Sequence, residues 1–292
     1  MAHDDDTTAF EEARPGLLAL AYRMLGSRAD AEDAVQDTYL RWHQAERAAL
    51  DNPAAWLTTV CTRRCLDVLK SHQHSRVDYV GEWLPEPLEG REPGSAGDDP
   101  LLAASLSTAF LLMLERLTPR ERAAYLLHEI FDTPYSDTAR ILGIAESACR
   151  KLVSRARGHV EQARVRHATP ADRQNALLAA FHEAVDSGRT EHLSALFAAD
   201  IAFRQDSGGK VPAVAHVLQG RDAVLEFVGT FLHRAWKDYA WTVIDLNGGR
   251  GALLGRDSKV EAALSLAFDE MGRASTIYLV RNPDKLARLP PT

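Results

Sequence analysis

RILGIAESACRKLVSRARGHV, residues 140–160, holds five cationic side chains and one acidic one. The chain around it is acidic: 34 Lys and Arg against 41 Asp and Glu, a formal net charge of −7. A short helix ending near Leu142, a turn at Gly143, a buried Ile144 and a second helix over about Ala145–Val160 have the spacing of a helix-turn-helix. On the second helix Ala148, Leu152 and Ala156 recur at i, i+4, i+8 and are expected to pack inward. Ser147, Arg150, Lys151, Ser154, Arg155 and Arg157 occupy much of the remaining surface. The earlier of these suit base edges in a major groove and the later arginines suit phosphates. The competing reading is an ordinary amphipathic surface helix. Concentrating positive charge on one helix lets that helix grip DNA while the rest of the surface repels it.

Working outward, TPRERAAYLLHEIF opens with a capping box: Thr118 as N-cap, Pro119 at the first helical position and Glu121 at the third. Helical periodicity extends over 101–165. Before it, residues 77–100 (VDYVGEWLPEPLEGREPGSAGDDP) are rich in Pro, Gly and acid without sustained periodicity, and read as a linker. Residues 8–76 are helical again. With Asp30 as N-cap, Ala31, Val35, Thr38 and Trp42 share an inward face. Asp33, Gln36, Asp37 and Leu40 share the outward one, and an exposed leucine in an acidic stripe favours a protein partner with a basic surface over mere solvation. The next helix follows Asp51 or Asn52 with Pro53 in its first turn. Leu57, Val60, Cys61, Cys65 and Val68 are expected inside, and Arg63, Asp67 and Lys70 outside. With Arg64, Arg76 and Trp56, this helix offers cations for phosphate and an aromatic for unstacked bases.

From about residue 172 the pattern changes. Helices are expected over about 174–185, 191–197 and 221–231. AWTVIDL, GALLG, VEAALSLAFD and RASTIYLV are β-rich runs bounded by Gly, Asn and Asp, and read as strands. The order is therefore all-α, linker, all-α, then α+β. Such α+β folds commonly hold a pocket between sheet and helices. Gly208 and Gly209 let a turn bring the carboxylate of Asp206 and the ammonium of Lys210 together, as an ion pair, a regulatory contact or a general-base site.

Composition narrows the classes. The apolar fraction is 46% and the charged fraction 26%, ordinary for a globular chain. No apolar run reaches the length of a membrane span, and MAHDDDTTAF lacks the features of a secretory signal. Cys61, Cys65 and Cys149 are too few for a disulfide framework and fit a reducing cytoplasm. Cys61 and Cys65 with His72 and His74 could be drawn as a zinc site. All four would crowd one helix end, and small buried thiols account for the cysteines, so no metal or cofactor is expected.

Two blocks resemble one family. SRADAEDAVQDTYLRWH with NPAAWLTTVCTRRCLDVLKS is similar to domain 2 of bacterial extracytoplasmic-function (ECF) RNA polymerase sigma factors. LTPRERAAYLLHEIFDTPYSDTARILGIAESACRKLVSRAR is similar to their domain 4. Together they cover about half the chain. WLPEP at 83–87, DSGGK at 206–210 and NPDKL at 282–286 resemble the hallmarks of a subgroup with a fused SnoaL-like domain of the NTF2-like fold. Ser207 replaces a glycine of that subgroup, and Ala145 a serine cap often found in the family.

The resemblance implies sigma domain 2 over 8–76, the acidic linker over 77–100, sigma domain 4 over 101–165 and a cone-like α+β SnoaL-like domain over 172–288. It implies that Asp33, Gln36, Asp37 and Leu40 dock on core RNA polymerase. Trp56, Arg63, Arg64, Asp67, Lys70 and Arg76 would engage the −10 element of promoter DNA. Ser147, Arg150, Lys151, Ser154, Arg155 and Arg157 would read the −35 element. A regulatory contact between domains would join Trp83, Leu84, Pro85, Asp206, Gly208, Gly209, Lys210, Asn282, Pro283, Asp284 and Lys285. The reading is of a cytoplasmic, non-enzymatic initiation factor with no membrane partner and room for an unidentified small ligand in the C-terminal pocket. The alternatives are a SnoaL or ketosteroid-isomerase type enzyme tethered to DNA, and a stand-alone helix-turn-helix repressor, neither of which needs a polymerase-docking face.

Overall fold

Helix-forming and strand-forming patterns are segregated along this chain, and the fold separates accordingly. The computed structural model describes residues 2–46, 50–75, 79–90, 100–162, 169–214 and 216–292. They fall into two units. One gathers the helices before residue 79 with 100–106 and 110–162; the other gathers 79–90, 107–109 and 169–292. Among the described residues, no helix is long and apolar enough to cross a membrane.

In the helical unit, α1 (Ala2–Leu25), α2 (Arg28–Gln44) and α3 (Pro53–Ser75) pack against one another in all three pairings. The N-cap of α2 is Ser27, not the expected Asp30: its hydroxyl accepts from the Asp30 amide at 3.2 Å, leaving Asp30 in the first turn, where a carboxylate meets the positive helix end. Ala31, Val35, Thr38 and Trp42 are buried as expected, joined by Ala34. Asn52 caps α3, accepting from the Ala55 amide at 2.9 Å. Leu57, Cys61, Cys65 and Leu69 form its buried stripe, and Val60 and Val68 are only half-buried.

The second set of helices comprises α4 (Pro100–Ala104), α5 (Thr108–Leu114), α6 (Pro119–Tyr125), a π-helical turn (Leu126–Ile130), α7 (Tyr135–Leu142) and α8 (Glu146–Gln162). The capping box is present in full: the Glu121 amide donates to Thr118 Oγ1 at 3.3 Å and the Thr118 amide to Glu121 Oε2 at 3.1 Å. Gly143 ends α7 in the left-handed conformation (φ 64°, ψ 41°), which a glycine adopts without Cβ strain. The inward stripe of α8 is Cys149, Val153, Ala156 and Val160, not Ala148, Leu152 and Ala156. Ala148 is exposed, and Leu152 and Ile144 are half-buried. Spacing of 4, 3 and 4 residues follows the 3.6-residue helical period more closely than two steps of four.

In the second unit, β1 (Phe197–Asp206), β2 (Leu218–Gln219), β3 (Ala240–Leu246), β4 (Gly249–Arg256), β5 (Lys259–Phe268) and β6 (Ala274–Val280) form one sheet in the order β2-β1-β6-β5-β4-β3. The β1–β6 pairing is parallel and every other pairing antiparallel. Helices α9 (Ala171–Ser187), α10 (Glu191–Leu196), α11 (Arg221–Glu226), a π-helical turn (Phe227–Leu232) and α12 (His233–Trp236) cover one face. The expected helix over 221–231 is thus extended to Trp236, and β1 is a strand that the period-two reading had not singled out. Phe181, Phe197, Phe203, Leu254, Leu264, Ile277 and Leu279 belong to the core on that face.

Strand side chains alternate, so Leu253, Ala263 and Val280, which are paired across β4, β5 and β6, point to the opposite face. They are buried as well. That face is covered by residues 79–90, where Leu84 through Pro87 are buried. Beyond them Leu88 and Gly90 join the edge strand β3: the Asn247 amide donates to Leu88 O at 2.9 Å and the Gly90 amide to Asp245 O at 2.9 Å. Residues 79–90 are therefore a strap on the sheet and not a free linker.

Candidate functional site

Three constellations emerge. The first lies on α2, where Asp33 and Gln36 are exposed and Leu40 is 52% exposed. Asp37 is half-buried and its Oδ2 lies 2.5 Å from Nε of Arg64 on α3. Tyr39 is also exposed, and its ring packs on Phe10 at 4.9 Å between centroids. An aromatic beside an exposed leucine was the available signal.

The second constellation spans the cations. On α3, Arg63 is exposed and Lys70 donates to Asp67 Oδ1 at 3.1 Å, both side chains in solvent. Trp56 is half-buried and packs on Trp42 at 5.6 Å, so its ring is partly committed to the fold. Arg76 and the side chains of His72 and His74 lie outside the described residues. Cys61 and Cys65 are buried; the hydrogen bond to Cys61, with burial, pushes the Cys65 thiol well up. On α8, Ser147, Arg150, Lys151, Ser154, Arg155 and Arg157 are all exposed. Arg150 pairs with Glu146 at 2.6 Å and lies over the Tyr135 ring at 4.3 Å. Arg155 Nε donates to Glu121 at 2.7 Å, and Arg157 to Glu129 at 2.6 Å. Burial opposes ionisation of Glu121, but hydrogen bonds from Arg155 and Thr118 more than offset it and hold the carboxyl below its usual value.

The third constellation joins the strap, which carries WLPEP, to the turn at 206–210 and the tail at 282–286 within one unit. Asp206, at the end of β1 and 0% exposed, sits on the strap-covered face. Its carboxylate accepts from Tyr79 Oη (2.6 Å), the Leu84 amide (2.9 Å), the Gly208 amide (3.0 Å) and Lys285 Nζ (2.7 Å). Lys285 also donates to Leu84 O at 2.5 Å and lies over the Trp83 ring at 4.5 Å. Asn282 donates to Tyr79 Oη at 3.0 Å and caps α13 (Pro283–Leu286), where Pro283 takes the first position. Burial, then the bond to Asp206, pushes the Tyr79 hydroxyl well up. Glu82 pairs with Arg204 at 2.6 Å, although burial raises its carboxyl.

The expected Asp206–Lys210 pairing does not occur. Lys210 pairs with Asp284 at the surface, while Asp206 turns inward to Lys285. Gly208 and Gly209 both have positive φ. A Cβ on Gly208 would lie 2.5 Å from Asn282 Nδ2, and one on Gly209 2.9 Å from Val80 Cβ. The glycines therefore serve close approach to the strap and tail, not only a sharp turn. With four donors on a sealed carboxylate, Asp206 has neither access nor a free lone pair with which to act as a general base. Tyr79 was missed because its partner lies far along the chain.

Comparison with known proteins agrees with this organisation. The family model for Sigma-70 region 2 matches residues 9–75 and that for Sigma-70, region 4, matches 107–160. The ECF RNA polymerase sigma factor SigJ of Mycobacterium tuberculosis is 34% identical, with 98% of this chain and 94% of the relative covered. A probable ECF RNA polymerase sigma factor, SigI, of the same species is 30% identical over 97% of this chain and 96% of the relative. The crystal structure of SigJ superposes with a TM-score of 0.72 at 32% identity, covering 96% of this chain and 98% of that one. With helical modules in the sigma order followed by an α+β domain, the chain belongs to the extracytoplasmic-function RNA polymerase sigma factors.

Proposed function

We propose that this protein directs bacterial RNA polymerase to specific promoters and initiates transcription there. The observation that carries the reading is the presence of oppositely charged exposed faces on separate helices. On α2, Asp33, Gln36 and Leu40 face solvent and Asp37 is half-buried against Arg64, a stripe that suits a basic polymerase surface. The exposed cations of α3 and α8 suit DNA. Within that reading, residues 8–76 act on the −10 element and 101–165 on the −35 element, and the protein works in the cytoplasm. Gly143 is exposed and a Cβ there would meet nothing within 4 Å, so the helix-turn-helix bend has space around it.

The C-terminal unit, 172–288, acts as a regulator in cis and not as a catalyst. Support comes from the strap, whose sequence lies between the two sigma modules and whose side chains and backbone are bound to this unit's sheet. Run-off transcription with purified core polymerase tests the proposal: promoter-specific initiation that depends on this protein is the expected result, and its absence sinks the reading. Replacing Asp33 and Asp37 with Lys reverses the charge of the α2 stripe and is expected to weaken core binding at least tenfold. Unchanged affinity removes the docking assignment.

A further inference from the structure

Among residues 140–160, where five cations gather, the sequence holds a single carboxylate, Glu146. It stands in the first turn of α8, the end that enters a major groove when a helix-turn-helix docks on DNA. Its charge suits that helix end but repels phosphate, and an exposed pair one turn apart adds little to stability. Glu146 Oε1 accepts from both Nε and Nη2 of Arg150, at 3.1 and 2.6 Å. Oε2 of the carboxylate and Nη1 of the guanidinium take no hydrogen-bond partner among the described residues. A third side chain fixes the plane of the fork. The guanidinium lies 4.3 Å over the ring of Tyr135, the first residue of α7. That ring packs against His128 with centroids 3.7 Å apart, and His128 Nδ1 lies 2.9 Å from Thr133 O. Arg150 is thus held along its Nε side and over one face, while its Nη end stays open. Arg155 and Arg157, by contrast, are tied to Glu121 and Glu129 on segments earlier in the chain.

We propose that Glu146 and Arg150 read one C·G base pair of the −35 element as a unit, and that Tyr135 is a positioning residue for Arg150. This rests on the sigma-factor reading, with α8 as the helix that enters the groove. The major-groove edge of a C·G pair offers one donor, the cytosine N4 amino group, beside two adjacent acceptors, guanine O6 and N7. The side chains on α8 present the complement: an open carboxylate oxygen beside the open end of a guanidinium. Arg150 donates through Nη1 and Nη2 to O6 and N7, and Glu146 accepts from N4 with Oε2. An A·T pair also has one donor, but it lacks two adjacent acceptors and leaves the arginine fork half answered. The bond between the two side chains persists in this arrangement, so the carboxylate keeps a cationic partner when water leaves the groove. Repulsion between Glu146 and phosphates lowers affinity for unrelated DNA, and discrimination between sequences rises accordingly.

The test uses holoenzyme, the full chain bound to core polymerase, selecting duplexes from a pool randomised across the −35 region. Native holoenzyme is expected to favour C·G at one position by about tenfold. Glu146→Ala and Arg150→Ala are each expected to remove the preference at that same position, and Glu146→Ala also to bind unrelated duplexes more tightly. Tyr135→Ala is expected to cut the preference about threefold, and Tyr135→Phe, which keeps the ring, to retain it. Should a variant fail to fold, the native holoenzyme still reports: 7-deazaguanine at the favoured position lacks N7 and is expected to weaken binding about fivefold. An unaltered preference in Glu146→Ala overturns the paired readout, and so does full-strength binding of the 7-deazaguanine duplex. An unaltered preference in Tyr135→Ala overturns the positioning role. Native holoenzyme that selects no sequence at all sinks the sigma-factor reading itself. Selection that is real but untouched by Glu146→Ala sinks the base-pair assignment and leaves the sigma-factor reading intact.

Discussion

The exposed basic face of α8 and the strap site around Asp206 use the same residue types in opposite surroundings. On α8 the side chains of Arg150 and Glu146 pair with each other while 58% and 46% exposed, so water reaches both charges. At the strap, Asp206 is 0% exposed and every donor it meets is supplied by the chain. An exposed pair is worth little to stability and exchanges readily for a phosphate. A sealed pair cannot be broken without leaving a charge unsolvated. Exposure thus separates charges free to exchange partners from charges holding the fold.

Asp206→Asn presses hardest on that contrast. It leaves the Lys285 ammonium beside a neutral amide under the strap and is expected to cost about 3–5 kcal/mol in urea unfolding, with residues 79–90 becoming sensitive to protease. A loss below about 1 kcal/mol would place Asp206 with the surface charges instead. Gly208→Ala comes next. The positive φ and the 2.5 Å approach to Asn282 predict a cost of about 1–3 kcal/mol by the same measurement, with DNA affinity unaffected at saturating stability. The smallest effect on stability belongs to Lys151→Ala, expected within about 0.5 kcal/mol of the native chain. That change should nevertheless lower the slope of log affinity for promoter DNA against log salt by about 0.9, the signature of one lost phosphate contact. If stability falls and the slope does not, α8 behaves like the strap and the contrast fails.

Much of the helical part was legible because its determinants are local. Thr118 and Glu121 are three residues apart, and their mutual hydrogen bonds can be written down from sequence. The stripe of α2 follows from helical geometry alone. The phase of α8 was misjudged by one residue because Ala148 and Cys149 are both small, and only packing distinguishes them. Ser27 displaced Asp30 as a cap because both can accept from a first-turn amide, and the chain entering from Gly26, at φ 68°, selects the earlier residue. In the C-terminal unit, four runs read as strands do form strands, yet the pairing of β1 with β6 in parallel was out of reach, since strands 70 or so residues apart announce no register.

Sequence by itself determined the class of each block, the helix-turn-helix and its charge focus, and the outward acidic stripe, because helix propensity, capping and periodicity act over one or two turns. Tertiary structure alone decided that Leu88 and Gly90 run the strap along β3, and that Asp206 answers to Tyr79 and Lys285 rather than Lys210. Those outcomes depend on which distant surfaces exclude water together, and burial turns an unremarkable charge into a structural one only after the chain has closed around it.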